Sequence, residues 1–90
     1  MKRIRRRIRF FGRVQGVGFR YTMYHAAQSC GVTGWVRNCY DGSVEAELEG
    51  IEPDIDSVIM AVEGARFVHI ENLEVRDIPP QDSRSFEITD

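Results

Sequence analysis

One segment of the chain, residues 12–20, combines residue types that can bind a phosphate group; its sequence is Gly-Arg-Val-Gln-Gly-Val-Gly-Phe-Arg. Gly16 and Gly18 predict a turn that directs several backbone N–H groups toward one point, at the positive end of the helix that follows. Arg20 adds a planar guanidinium that can bind two phosphate oxygens at once. Because an arginine in the first turn of a helix opposes the macrodipole, its position favours an anion site over a simple glycine turn.

The strand before this turn and the helix after it are predicted from the spacing of apolar residues. Ile8 and Phe10 alternate with arginines, which is typical of a strand with one buried face. Arg6 interrupts the alternation, so we expect the first residues of this strand to be frayed or to lie at a sheet edge. Over residues 19–30, apolar side chains recur every three or four positions, which predicts an amphipathic helix that ends at Gly31.

A hairpin is predicted in the middle of the chain. Residues 32–38 have the composition of a second strand, and Asp41-Gly42 is a strong signal for a tight turn. The third strand follows, with apolar residues alternating with glutamates. We expect these glutamates to form a solvated face: Glu45, Glu47 and Glu49.

The last third of the chain predicts one more helix and one or two strands. Pro53 suits the first position of a helix, and an apolar stripe continues to a stop at Gly64. Residues 67–78 form a longer strand-like stretch that Pro79-Pro80 ends. Residues 85–89 could add a short final strand.

This order predicts a ferredoxin-like α+β fold, a βαββαβ sandwich with two helices on one face of an antiparallel sheet of four to five strands. We expect one domain over residues 1–90, with Phe19 and Trp35 in its core. Right-handed crossovers make the first two strands parallel, so both end at the same edge of the sheet. Asn38, at the end of the second strand, should therefore lie near Arg20.

The charges are distributed unevenly along the chain. The net charge is -2, yet no acidic residue precedes Asp41. A basic half can indicate a nucleic-acid partner, but we favour an interpretation in which the two halves interleave in one sheet and neutralise each other. No apolar stretch is long enough to span a bilayer, and we expect a cytoplasmic monomer with reduced thiols. Cys30 and Cys39 lack the spacing of a metal site.

The chain resembles the acylphosphatase family. The resemblance implies that acyl phosphates are hydrolysed to a carboxylate and inorganic phosphate, without a metal or other cofactor and without a covalent phosphoenzyme. It also implies that Arg20 binds the phosphate and that Asn38 positions the attacking water. The residues that carry it are residues 12–20, Gly34-Trp35-Val36-Arg37-Asn38, Asp41-Gly42-Ser43-Val44-Glu45 and Gly50.

The residue chemistry is compatible with that reaction. The loop that is expected to donate backbone N–H groups to the phosphoryl oxygens consists of Gln15, Gly16, Val17, Gly18, Phe19 and Arg20. The amide oxygen of Asn38 can accept a hydrogen bond from a water but cannot remove its proton. We expect no role in proton transfer for His25 or His69, so the phosphate of the substrate is the simplest proton acceptor.

Two other functions stay open at the level of the sequence. One is an RNA-binding ferredoxin-like module that uses the arginine-rich first strand, although the stacked aromatic residues of such modules are missing. The other is a non-catalytic domain that binds an acyl or carbamoyl phosphate, like those at the N-terminus of hydrogenase-maturation carbamoyltransferases. The residues do not identify the physiological acyl phosphate.

Overall fold

The computed structural model describes residues 1–89, so the last residue of the predicted domain, Asp90, lies outside the described residues. Two helices and five strands follow one another in the predicted order. The elements are β1 (Arg3–Arg13), α1 (Phe19–Cys30), β2 (Thr33–Asn38), β3 (Val44–Ile51), α2 (Glu52–Glu63), β4 (His69–Ile78) and β5 (Phe86–Ile88). Within residues 1–89, no helix combines the length and the hydrophobicity that crossing a bilayer requires.

The strands form one sheet in the order β4-β1-β3-β2-β5. The pairs β1–β3, β1–β4 and β2–β3 are antiparallel, which makes β1 and β2 parallel to each other and confirms the predicted ferredoxin-like fold. The short fifth strand differs from the expected antiparallel arrangement because β5 pairs in parallel with β2, so the sheet is mixed. The reason is topological. β4 runs opposite to β1 and β2, so it finishes at the end of the sheet where β2 starts. A strand that begins at that end must run in the same direction as β2.

The first strand lies inside the sheet, between β4 and β3. Residues 3–10 all pair with β3, so the start of the strand is not frayed. The pairing with β4 begins only at Arg5, so Arg3 and Ile4 form the expected edge portion. Arg6 does not interrupt the strand because its guanidinium binds acidic residues on the helical side: Glu52, Asp56 and Asp77. The position of a strand within the sheet depends on long-range pairing, which local alternation does not report.

The core lies between the sheet and the two helices. Ile8 and Phe10 of β1 are fully buried there, and the ring of Phe10 packs edge-on against Phe19 at 4.9 Å between centroids. Phe19 is thus a core residue, as predicted. Met23 and Ala27 of α1 continue the same buried face. These contacts fix the beginning of α1 against the end of β1, where the loop predicted to bind phosphate lies.

The helix-free face of the sheet carries a lattice of arginines and glutamates. Glu45, Glu47 and Glu49 are buried, with 4%, 5% and 0% of their surfaces exposed, so the expectation of a solvated face is wrong. Arg5 is also buried; its Nε donates to Glu47 Oε1 at 2.8 Å and its Nη1 to Glu49 Oε1 at 2.9 Å. The predicted neutralisation of the basic half by the acidic half is confirmed. Further pairs join Arg3 to Glu49, Arg7 to Glu45 and Glu47, and both Arg9 and Arg37 to Glu45.

Trp35 lies on this helix-free face, and its expected place in the core is wrong. It stands opposite Glu47 in the β2–β3 register. The guanidinium groups of Arg7 and Arg37 lie 5.7 Å and 5.6 Å from its ring centroid. At this distance an aromatic ring attracts a cation, so Trp35 helps to cover the arginine lattice.

The lattice predicts a specific loss of stability in acid. Burial by itself raises the pKa of Glu49, but hydrogen bonds from the N–H of Gln81 and from Arg5 and Arg3 outweigh it and lower that pKa from 4.5 to about 2. A lowered pKa stabilises the folded state above the unfolded-state value, and the contribution is lost as the pH falls from about 4.5 to about 2. We expect this carboxyl to account for up to about 3 kcal/mol of the change.

Denaturant unfolding at a series of pH values measures this contribution. The variant Glu49→Gln should be less stable than the wild type at neutral pH and should lose less stability between the two pKa values. Glu74→Gln is the matched control, because Glu74 is an exposed glutamate on β4. A Glu49→Gln variant with the same acid dependence as the control would contradict the prediction.

Candidate active site

The loop after β1 has the geometry that its glycines predict. Gly16 and Gly18 have φ values of +73° and +78°, in the left-handed region that favours glycine. A Cβ at either position would meet no atom within 4 Å, so the requirement is conformational and the space beside the backbone is open. Gly18 is also the N-cap of α1, and the helix begins without a side-chain cap and without an acidic residue in its first turn. Such a helix end favours an anion.

Arg20 is the second residue of α1 and lies in its first turn. The preceding residue, Phe19, is buried against Phe10 and holds the start of the helix on the sheet. Arg20 itself is half-buried. The structure thus places Arg20 and the left-handed loop at the same end of α1, as the sequence predicts.

Asn38 is the last residue of β2 and pairs with Val44, the first residue of β3. Its Oδ1 is buried, and among the side-chain atoms of residues 1–89 it is the buried polar atom without a hydrogen-bond partner. A buried acceptor without a donor is costly and is uncommon outside functional sites. Asn38 also borders an open cavity of about 380 Å³, lined in addition by Arg9, Arg37, Cys39, Tyr40 and Asp41.

The side chain of Gln15 connects the loop between β1 and α1 (residues 14–18), which is predicted to bind phosphate and is called the phosphate loop, to the β2–β3 turn. Its Nε2 donates to the carbonyl oxygen of Cys39 at 2.7 Å and to that of Ser43 at 2.9 Å. This contact fixes the loop beside the residue that follows Asn38. The sequence indicated only the backbone N–H of Gln15 as a donor. The structure adds a role for its side chain, which holds the loop after β1 against the β2–β3 turn. No local pattern signals this role, because the two carbonyl groups lie more than twenty residues further along the chain.

The β2–β3 turn that carries Asn38 is closed by its own hydrogen bonds. The N–H of Cys39 donates to Ser43 O at 2.8 Å, and Asp41 Oδ1 accepts from the N–H and the hydroxyl of Ser43 at 3.0 Å and 2.6 Å. The hydroxyl bond is the main reason that the pKa of Asp41 lies below its usual range. Gly42 has a φ of +93°. The interpretation of Asp41-Gly42 as turn chemistry is therefore confirmed, and the turn is a defined support for Asn38.

The two histidines lie at different places in the fold, one exposed on α1 and the other at the start of β4. His25 is exposed on α1, beside the ring of Tyr24. His69 is the first residue of β4 and pairs with Arg13, the last residue of β1. It therefore lies at the sheet edge where the phosphate loop begins, a placement that the sequence did not indicate. The residues around His69 in the sequence do not indicate this placement, because the placement follows from the antiparallel pairing of β4 with β1. Among the residues that the structure describes, no three His, Cys, Asp or Glu side chains converge as a metal site would require.

The family model of acylphosphatase matches residues 6–88 of the chain. The chain belongs to the acylphosphatase family. It is 42% identical over 89 residues to the acylphosphatase of Thermococcus kodakarensis, an alignment that covers 98% of both chains. This confirms the family that the residue motifs indicated.

Solved structures lead to the same family. The crystal structure of the acylphosphatase from Bacillus subtilis superposes with a TM-score of 0.89 at 36% identity, covering 96% of this chain and 98% of that one. Full-length HypF in its phosphate- and nucleotide-bound form contains a similar fold, with a TM-score of 0.90 and 31% identity over 99% of this chain and 12% of HypF. The matched acylphosphatases of Thermococcus kodakarensis and Bacillus subtilis are each covered over 98% of their length. The chain is therefore an acylphosphatase hydrolase, and the prediction of an enzyme is confirmed.

Proposed function

We propose that this acylphosphatase cleaves the carboxyl–phosphate anhydride by direct attack of water on phosphorus. In this proposal Asn38 orients the water, while Arg20 and the backbone N–H groups of residues 15–20 hold the phosphoryl group. The observation that carries the proposal is the buried Oδ1 of Asn38, which lacks a hydrogen-bond partner within the described part of the chain. A water that donates to this oxygen supplies the missing bond.

The phosphoryl group is bound by charge and by fixed donors. Gly18 and the uncapped first turn of α1 present backbone N–H groups, and Arg20 adds its guanidinium in the same turn. Phosphoryl transfer spreads negative charge over the equatorial oxygens, so donors that are already in position stabilise the transition state. The side chain of Gln15 keeps this loop beside the β2–β3 turn and thereby fixes the distance between phosphate and water.

The substrate itself completes the chemistry. A carboxylate is a good leaving group, so the reaction needs no strong acid to protonate it. Since an amide cannot take a proton, the proton of the attacking water passes to a phosphate oxygen of the substrate. The oxygen of the water becomes the fourth oxygen of inorganic phosphate, and the bond between phosphorus and the bridging oxygen breaks with its electron pair on the carboxylate.

The charge distribution speaks against the RNA-binding alternative. The arginines of β1 that face away from the helices are paired with buried glutamates and are not gathered in a free basic stripe.

Three further properties stay predictions: a single domain over residues 1–90, a monomeric state and a cytoplasmic location.

The wild-type enzyme tests the proposed reaction directly. With benzoyl phosphate in ¹⁸O-labelled water and an excess of chelator, we expect undiminished turnover, with one labelled oxygen in the phosphate and none in the benzoate. Acid quenching during turnover of phosphorus-labelled substrate should trap no phosphoprotein. Label in benzoate, a need for added divalent metal, or a trapped phosphoprotein would each contradict the mechanism.

A further inference from the structure

We infer that the acyl group of the substrate binds in a cavity on the β4 side of the phosphate loop, and that this cavity selects acyl groups that carry a second negative charge. The inference rests on the proposed function, because the position of the attacking water determines where the acyl group must leave. The residues that would contact the acyl group are Arg13, Arg66 and Phe67.

The direction of the leaving group follows from the sheet order. In a phosphoryl transfer the attacking and leaving oxygens lie roughly in line on opposite sides of phosphorus. The loop after β1 has the β2–β3 turn on one side, where Asn38 lies and where Gln15 makes its two contacts. The other neighbour of β1 is β4, whose first residue pairs with Arg13. A water at Asn38 therefore directs the acyl group toward the β4 side.

A cavity of suitable size is present on that side. It has a volume of about 780 Å³ and includes Arg13 at the end of β1, Arg66 and Phe67 between α2 and β4, and His69 and Glu71 of β4. Gly12 also lines this open cavity, and a Cβ placed on Gly12 would lie only 2.2 Å from the carbonyl oxygen of His69. The end of β1 is therefore packed closely against the start of β4. The cavity lies beside the point where the loop of residues 14–18 begins.

The charges of this cavity favour an anion. Among the ion pairs within residues 1–89, none involves Arg13 or Arg66. The residues that line the cavity therefore include two arginines and one carboxylate, that of Glu71. A carboxylate or phosphate on the acyl group would bind here, and the guanidinium geometry suits both.

Phe67 gives the same cavity an apolar wall. Its side chain is 61% exposed, which is unusual for a phenylalanine, and the guanidinium carbon of Arg66 lies 5.2 Å from its ring centroid. Stacking on the ring holds the guanidinium in one orientation and reduces the entropy that it loses on binding. The cavity therefore suits an acyl group with a flat or aliphatic body and a terminal anion.

Two matched substrates test the inference. Benzoyl phosphate and 4-carboxybenzoyl phosphate share a ring and an anhydride but differ by one carboxylate that cannot reach its own phosphate. The measured quantity is the ratio of their kcat/KM values, charged substrate over neutral substrate. We expect Arg66→Gln and Arg13→Gln each to lower this ratio roughly three- to tenfold, the range between exposed and partly buried charge pairs.

Arg84→Gln is the control, because Arg84 is an exposed arginine in the segment that joins β4 to β5, at the opposite sheet edge. It should leave the ratio unchanged. An equal fall in Arg84→Gln would overturn the inference, since the effect would then be general steering by net charge. An unchanged ratio in both test variants would also overturn it, while hydrolysis of benzoyl phosphate that depends on Arg20 would leave the proposed function standing. If the wild type does not hydrolyse benzoyl phosphate, both fail.

Discussion

Replacement of Asn38 by alanine is expected to lower kcat for benzoyl phosphate by ~10²–10³, the cost of losing one positioned polar group in a transition state. The folded protein should not lose stability. The Oδ1 atom of Asn38 accepts no hydrogen bond from another residue within residues 1–89, so its removal breaks no contact between residues of the fold. The free energy of unfolding should therefore change by less than about 1 kcal/mol. A residue with a structural role would show the opposite combination, a loss of stability together with activity.

The kinetic parameters separate the role of Asn38 from that of Arg20. In the proposed mechanism Asn38 contacts only the attacking water, so Asn38→Ala should lower kcat with little change in KM. In the same proposal Arg20 binds the phosphoryl group in the ground state as well, so Arg20→Ala should raise KM and also lower kcat. Asn72→Ala, which alters an exposed asparagine of β4, serves as the control and should match the wild type. Near-normal kcat in Asn38→Ala would exclude the proposed role of the amide.

Replacement of Gly34 by alanine is expected to unfold the protein or to destabilise it by more than about 4 kcal/mol, a size that marks a backbone clash or a lost core contact. Gly34 has a φ of +133°, and a Cβ there would lie 1.8 Å from the carbonyl oxygen of Glu47 on the neighbouring strand. Its N–H also donates to Ser85 O at 2.9 Å, which joins β2 to the segment before β5. The clash is with backbone atoms in the middle of the sheet, so neither neighbour can move without breaking the β2–β3 pairing.

Gly31→Ala is the matched control for this prediction. Gly31 also has a positive φ, +69°, but a Cβ there would meet no atom within 4 Å. The control should lose only the cost of the left-handed conformation, about 1–2 kcal/mol. Denaturant unfolding followed by circular dichroism measures both variants. If Gly34→Ala is no less stable than Gly31→Ala, the clash with Glu47 does not determine the stability of this strand.

The sequence by itself determined the elements, their order and the end of the sheet at which the two proposed site residues lie. Alternation in β1 and three- to four-residue spacing in α1 depend only on the backbone geometry of neighbouring residues, so they are readable without the fold. The order βαββαβ with right-handed crossovers then places the ends of β1 and β2 at one edge. For this reason, the order of the elements alone is enough to bring Asn38 and the loop that leads to Arg20 together.

The tertiary structure alone decided which distant residues touch. Four features depend on strand register and sheet order: the burial of Glu49 against Arg5, the parallel pairing of β5, the contacts of Gln15 with the β2–β3 turn, and the position of Trp35. So does the cavity that joins Arg13 to the segment before β4. Local periodicity assigns a residue to a face of its own strand, but partners across the sheet are selected by the combined packing of all strands. An alternating glutamate can therefore lie either in water or beneath an arginine lattice, and the fold decides between them.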